Sequence, residues 1–317
     1  MRQTSPADVS VIIGAYNVEN YIERAIHSAL DQSGVAVEIV VVNDASTDNT
    51  LGIASRIKDP RVACINLSSN SGPSIARNTG IAAASAPWLA LLDGDDAFAP
   101  NRLIRCIARA KSTNADIVVD NLEVRRESDK VCFPMFKPEK FARMEMLDLA
   151  TFIRGNIFLL RRWTLGYLKP IFSAQFLRHH QLGYDPYLHI GEDYNLLATA
   201  LACGARCAVE ATCGYFYTVR SGSMSYRLSI PEIIRMINGD MINGDKKFLT
   251  KYPLVSAARR AQKWRSLSLN EALAYLQLVD ALKQKDVAKA FKICGSRPTA
   301  TLHLWRPIWV RIQQLFD

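Results

Sequence analysis

The chain predicts an α/β fold: a mostly parallel, doubly wound sheet flanked by helices, followed by a helical and basic C-terminal extension. Three observations carry this. Apolar runs recur at residues 9–16, 37–44, 61–67 and 86–93, and those at 9–16, 37–44 and 88–92 read as buried strands. Helical stretches separate them, and strand–helix alternation specifies a parallel sheet. Past residue 228 the strand signals stop and Lys and Arg accumulate.

The elements follow in order. VSVIIGAY, residues 9–16, is the first strand. Residues 17–32 place Tyr21, Ile22, Ala25, Ile26, Ala29 and Leu30 at helical spacing. VEIVVVND is the second strand. STDNT then opens a helix over 50–58, with Asp and Ser/Thr where free N–H groups need acceptors. RVACINL is a third strand, residues 74–84 a third helix, and APWLALLD a fourth strand. Residues 101–112 read as helix and ADIVVDNLEV as strand. Residues 125–180 mix Pro, Phe and Arg and predict no firm element. Residues 193–203 are helical, and RCAVEATCGYFYTV forms one or two strands. The boundary falls near 228, dividing an α/β unit, residues 1–228, from a helical unit, residues 229–317.

Composition excludes several classes. Apolar content of 49% and charged content of 22% are globular values. No run of about 18 apolar residues is present, so no membrane span is expected. The opening MRQTSPADVS lacks a signal-peptide layout, so the chain is expected on the cytosolic side. Cys203, Cys207 and Cys213 are the only close cysteines, without the tight pairs of a zinc site, and read as small reduced residues. The net charge of +9 is uneven: from Asp245 onward 14 Lys and Arg face 5 Asp and Glu, whereas the preceding residues hold 25 of each. A cationic tail implies an anionic partner: a membrane surface, nucleic acid or a phosphorylated ligand.

Open α/β sheets bind ligands at the carboxyl ends of their strands. Here those ends read AYNVE, NDASTD and LDGDD. In LDGDD, Asp93 and Asp95 flank one Gly and face the same way on an extended chain. Asp96 adds a third carboxylate. Carboxylates this close repel and are costly to desolvate, and a divalent cation relieves both penalties. Hard oxygen ligands suit Mg²⁺ or Mn²⁺, which also take phosphate oxygens of a substrate. A solvated acidic turn is the plainer alternative. The buried strand before it and the polar strand ends beside it favour the metal.

In NDASTDNT, Asp44 can accept from a base imide or a ribose hydroxyl, while Asp48 reads as the cap of the next helix. SGPSIARNTGI is a small-residue loop entering a helix, and its Arg77 can pair with phosphate or stack on a base. Neither GxxxxGK[ST] nor a GxGxxG after the first strand is present. GEDYNLL sets Glu192 and Asp193 at a helix start, favourable on dipole grounds alone, and also suited to a general base.

Taken in order, VSVIIGAYNVENYIERAIHSALDQS, VVVNDASTDNT, NSGPSIARNTGI, LALLDGDD and GEDYNLL resemble the family 2 glycosyltransferases of GT-A fold, over residues 8–225. The likeness is greatest to bacterial exopolysaccharide enzymes of the succinoglycan type. The resemblance implies an inverting, metal-dependent transfer of a hexose, UDP-glucose being the expected donor. It implies that Ala15, Tyr16 and Glu19 border the nucleotide base and that Asp44 bonds the uracil edge. Arg77 would help hold the nucleotide, Asp93 would contact ribose or donor sugar, and Asp95 would bind Mg²⁺ or Mn²⁺. Asp96 would support the site or touch the sugar. Asp193 would be the general base with Glu192 beside it. Tyr217 and Arg220, in YFYTVRSGSMS, would close over the diphosphate.

A haloacid-dehalogenase-type phosphatase also follows an apolar run with DxD, using Asp93 and Asp95. That pattern belongs on a first strand and wants Thr or Val two residues after the second Asp, where Ala97 and Phe98 follow instead. A non-catalytic sugar-nucleotide-binding subunit is the other alternative, opposed by the presence of both carboxylate motifs. The tail LHLWRPIWVRIQQLF mixes Trp305 and Trp309 with Arg306 and Arg311. Such a mixture suits a membrane interface or a helix packed on the catalytic unit. With the resemblance, the expected partners are a UDP-sugar, a polyprenyl-diphosphate-linked oligosaccharide acceptor and an anionic membrane surface, with no nucleic acid. The expected location is cytoplasmic, peripheral on the inner face of the cytoplasmic membrane.

Overall fold

The computed structural model of the chain describes residues 6–157, 163–220 and 229–302. Its centre is a mixed nine-stranded sheet. The first half is parallel, as the apolar runs predict. β1 (Val9–Ala15) lies between β2 (Val37–Asn43) and β4 (Trp88–Asp93), and β3 (Val62–Asn66) extends the edge beyond β2. The interleaved helices are α1 (Ile22–Leu30), α2 (Thr50–Arg56) and α3 (Pro73–Ala83). The apolar residues of α1 anticipated from spacing, Ile22, Ala25, Ile26, Ala29 and Leu30, are all buried.

α1 starts later than its periodicity predicts. Asn17 has a φ of 52°, and Val18 N–H donates to Thr50 Oγ1 at 2.9 Å. The first residues after β1 are thus tied to the loop after β2 instead of winding into helix. α3 packs very close to the sheet: a Cβ on Gly80 would lie 2.3 Å from Ile12 Cγ2. Only glycine permits that approach.

The second half of the sheet is mixed. After β4 come β5 (Ala97–Phe98), α4 (Arg102–Thr113), β6 (Ile117–Arg126) and β7 (Val131–Pro134). The stretch with no firm prediction contains α5 (Pro138–Ala142), α6 (Leu149–Arg154), a 3₁₀ turn (Leu165–Tyr167), β8 (Ile171–Ser173) and α7 (Ala174–His179). α8 (Glu192–Ala202) and one long strand, β9 (Cys207–Val219), complete the α/β unit. β8 runs antiparallel to both β4 and β6, joining the two halves. β6 and β9 are parallel, and β5 and β7 pair antiparallel with β9 and β6.

The described C-terminal part is helical, as anticipated: α9 (Ile230–Met236), a π-helical turn (Ile237–Ile242), α10 (Asn243–Lys251), α11 (Ser256–Lys283), α12 (Val287–Ser296) and α13 (Thr299–Leu302). The main core runs on from the sheet into Phe248, Leu254, Ala258 and Ala261. Arg265 on α11 donates to the Asn156 carbonyl at 2.8 Å, and its guanidinium lies 3.6 Å from the Tyr194 ring centre. The expected boundary at 228 and the aromatic–basic tail from Trp305 onward lie outside the described residues. Among the described residues no helix is long and apolar enough to cross a membrane.

Candidate active site

The carboxyl ends of β1, β2 and β4 meet through their backbones. Asp44 N–H donates to the Ala15 carbonyl at 2.9 Å, and Gly94 N–H donates to the Gly14 carbonyl at 3.1 Å. Beyond β4, Asp96 N–H bonds back to the Asp93 carbonyl at 3.0 Å, closing a turn. This turn sends the aspartates of LDGDD in different directions. Asp93 and Asp95 border a cavity of about 460 Å³ whose walls also include Lys169, Glu192, Asp193 and Tyr217.

One arginine gathers the motifs. Arg77, buried at the start of α3, donates from Nη2 to Asp93 (2.7 Å) and from Nη1 to Glu192 (2.8 Å) and Asp193 (3.3 Å). Lys169 Nζ bridges Asp93 (2.8 Å) and Asp193 (2.7 Å) from the other side. Tyr184 Oη donates to Asp193 Oδ1 at 3.0 Å. The GEDY motif reaches this web because Gly191 takes a left-handed φ of 76° immediately before α8. That conformation suits glycine, and it sets both acids at a helix N-terminus, where negative charge is favoured.

The electrostatics differ residue by residue. Burial opposes the charge of Asp93, but Lys169 and Arg77 outweigh it and hold the carboxyl far below its ordinary range. Asp95 is raised, by burial and then by the charge of Asp93, although Arg220 counters from 2.8 Å. Glu192 is raised by burial and by Asp193, against Arg77. Among the described residues, four carboxylates, Asp93, Asp95, Glu192 and Asp193, share three cations, Arg77, Lys169 and Arg220.

Several anticipated residues occupy other surroundings than those implied for them. Asp96, expected to support the site or touch the sugar, is 2% exposed but still borders the cavity. It accepts from Tyr215 Oη (2.8 Å) and Thr218 N–H (2.7 Å), so it ties the motif to β9. The turn after β4 thus leaves the third carboxylate bonded to β9 at the cavity's edge. Arg77, expected on the nucleotide, spends its donors on protein carboxylates. Asp44 is 3% exposed and accepts from Ser71 and Gly72 N–H at 2.7 and 2.8 Å, holding the loop before α3. Glu19 Oε2 accepts from Asn49 N–H at 2.9 Å. Asp48 accepts from the Thr50 N–H at the start of α2, although Asn49 holds the cap position, and it also takes the Glu19 N–H. Ala15 is buried and Tyr16 is 46% exposed at the same strand end. Arg220 lies 4.8 Å from the Tyr21 ring centre; the Ser-x-Ser after it is outside the described residues.

Sequence reasoning missed Lys169, Tyr184 and the wall from the C-terminal helices, Met241 and Arg265. Lys169 and Tyr184 stand singly in or just beyond the stretch without firm elements, and no spacing marks them. Arg265 lies in an ordinary basic helical run.

As for a cation, Asp95 offers a hard oxygen ligand on the cavity wall, where Arg220 now meets it at 2.8 Å. Among the described residues no group of three or more His, Cys, Asp or Glu could hold a metal ion. Asp95 on the cavity wall is the kind of oxygen ligand that Mg²⁺ takes singly or in pairs alongside substrate phosphates.

Residues 10–165 match glycosyl transferase family 2. The chain belongs to this family. As a glycosyltransferase it is 45% identical over 308 residues to the succinoglycan biosynthesis protein ExoO of Rhizobium meliloti, covering 97% of this chain and 87% of that one. It is 32% identical to ExoU of the same organism, covering 95% and 86%. With WfaP of Escherichia coli, a UDP-Glc:α-D-GlcNAc-diphosphoundecaprenol β-1,3-glucosyltransferase, identity is 27% over 73% of this chain and 84% of that one. Two solved structures share the fold. TarS 1-349 of S. aureus in complex with UDP-GlcNAc has a TM-score of 0.60 at 18% identity, covering 92% of both chains. The mannosyltransferase PcManGT of Pyrobaculum calidifontis, in complex with GDP-Man and Mn²⁺, has a TM-score of 0.61 at 16% identity, covering 98% and 85%. The phosphatase alternative falls with the family and with the place of LDGDD on β4.

Proposed function

We propose that this glycosyltransferase works in exopolysaccharide assembly, moving a hexose, glucose first among them, from a UDP-sugar to a polyprenyl-diphosphate-linked oligosaccharide with inversion. The carrying observation is the convergence of Asp93, Asp95, Glu192 and Asp193 on one cavity, cross-linked by Arg77 and Lys169. The names of ExoO and ExoU support the pathway class, WfaP supports the donor and lipid-linked acceptor, and the UDP-GlcNAc complex of TarS supports a uridine nucleotide.

The chemistry divides among the residues. Ala15, Tyr16 and Glu19 border the base, and Asp44 shapes the loop at its edge. Asp93 contacts ribose or donor sugar. Asp95 would hold Mg²⁺ or Mn²⁺, which when bound would supply positive charge for the diphosphate leaving group. Arg220 adds a positive group beside that position. Asp193 accepts the proton of the acceptor hydroxyl as that oxygen attacks the anomeric carbon from the face opposite the diphosphate. One displacement turns an α-linked donor into a β-linkage. Lys169 and Tyr184 orient Asp193 throughout.

A donor panel with Mg²⁺ or Mn²⁺, scored by nucleotide release, tests the reading. UDP-glucose is expected to be turned over and Asp95→Ala to abolish release. Turnover of GDP-sugars alone, or full activity in Asp95→Ala, would refute the donor and cation assignments. The acceptor's lipid carries a further expectation: the enzyme works at the cytoplasmic face of a membrane.

A further inference from the structure

The distal helices carry an unusual surface. α12 packs on α11 through small residues, and Ala274, Leu278, Ala281, Ala290 and Ala300 form a satellite core apart from the main one. Ala290 is the buried residue of α12. On another side of this helix Val287 and Phe291, one turn apart, are 63% and 75% exposed. Leu282, before the turn into α12, is 51% exposed. Such exposed apolar groups on a folded unit mark an interaction site when they cluster.

Their surroundings identify the partner. Lys283, Lys285 and Lys292, close to them along the chain, are exposed, as is the single acid Asp286, while Lys289 lies 3.8 Å from Asp280. Lysine stems cover apolar surface while their ammonium groups reach outward. An apolar helix face edged by lysine fits the boundary of a bilayer, where side chains enter the acyl region and the ammonium groups meet anionic headgroups. The whole excess of +9 falls from Asp245 onward, the part of the chain that holds this face. A protein partner would have to match both a phenylalanine and an excess of lysines; an anionic lipid surface does so without a specific shape.

We infer that Val287 and Phe291 of α12, with Lys283, Lys285 and Lys292, form the surface by which the protein lies on an anionic phospholipid bilayer. This deepens the membrane-facing part of the proposed function, on which it rests, by naming the contact.

The test sediments the full chain with phosphatidylcholine vesicles and with vesicles that also contain phosphatidylglycerol. Binding is expected only to the second kind, and it should weaken with added salt. Phe291→Glu should lower the vesicle partition about tenfold, and Lys292→Gln about fivefold. Both side chains are exposed, so melting temperature and UDP release with a water-soluble acceptor should match the unaltered protein. Undiminished binding by Phe291→Glu would overturn the inference. So would a loss of binding confined to Trp305→Ser/Trp309→Ser, which would assign the contact to the tail. A lower oligomeric state in Phe291→Glu would assign the face to a second copy of the chain and overturn it as well. Binding as expected in a protein that turns over no UDP-sugar would leave the surface standing and refute the function.

Discussion

Two buried arginines, each near the start of a helix that follows a strand, serve opposite ends. Arg102 on α4 is fully buried and meets one carboxylate, Asp120, through Nε and Nη2 at 2.8 Å each. Its third bond goes to the Lys169 carbonyl at 2.6 Å, and its guanidinium lies 4.5 Å from the Phe98 ring centre. Arg77 on α3, nearly as buried, meets three carboxylates on the wall of a cavity. The first arrangement is sealed and balanced one to one. The second, among the described residues, belongs to a web of four carboxylates and three cations beside open space. A buried ion pair is thus a structural bond or part of a site according to its charge balance and its access, and the Lys169 backbone links the two.

The comparison can be broken from the site side first. Asp193→Asn should lower the rate of transfer by roughly a thousandfold, the range of a lost general base. Nucleotide affinity, measured by calorimetry, should stay within about threefold, since Lys169 keeps Asp93 as a partner. A variant that transferred at full rate would move the base elsewhere.

From the structural side, Arg102→Ala leaves Asp120 buried without its partner. The expected loss is about 3–5 kcal/mol of stability by denaturant titration, with the specific activity of the folded fraction largely kept. A variant that folded normally but lost activity would erase the distinction between the two arginines.

Asp96 separates the aspartates of one motif. Burial, then the charges of Asp95 and Asp93, raise its pKa far above the ordinary carboxylate range, and its oxygens serve Tyr215 and Thr218. Asp96→Ala should cost about 1–3 kcal/mol by leaving those donors unpaired, whereas Asp95→Ala should cost activity and little stability.

The smallest effect concerns Glu38, at the opposite end of the sheet. Burial opposes its charge, but bonds from Ser10, Ser85 and Ala86 together lower its pKa from the usual 4.5. A lowered folded value means a contribution present above the unfolded pKa and lost as pH falls through the folded one. The melting-temperature gap between the protein and Glu38→Gln should therefore be full near neutrality and shrink below pH 4.5. A gap independent of pH would remove the charge from the explanation.

Much of the fold was legible because local signals agreed. β1 to β4 are continuous apolar runs, and the buried face of α1 follows helical spacing residue by residue. The stretch from 125 to 180 was not legible. Its elements are short, and β8 pairs antiparallel with strands distant in sequence, β4 and β6. In the site, the carboxylates could be read because they cluster in motifs at strand and helix ends. Lys169 and Tyr184 could not, being single polar residues whose partners lie far along the chain.

By itself, then, the sequence determined the parallel half of the sheet, the helical character of the basic extension and the acids that converge on one rim. Those follow from periodicity, propensity and local spacing, which act over a few residues. Tertiary structure alone decided how each acid is used. After one turn at Gly94, Asp95 meets Arg220 while Asp96 is bonded to Tyr215 and Thr218, and packing brings Arg77 and Lys169 between Asp93 and Asp193. Burial and Coulomb interaction depend on distance in space, and only the folded chain sets those distances.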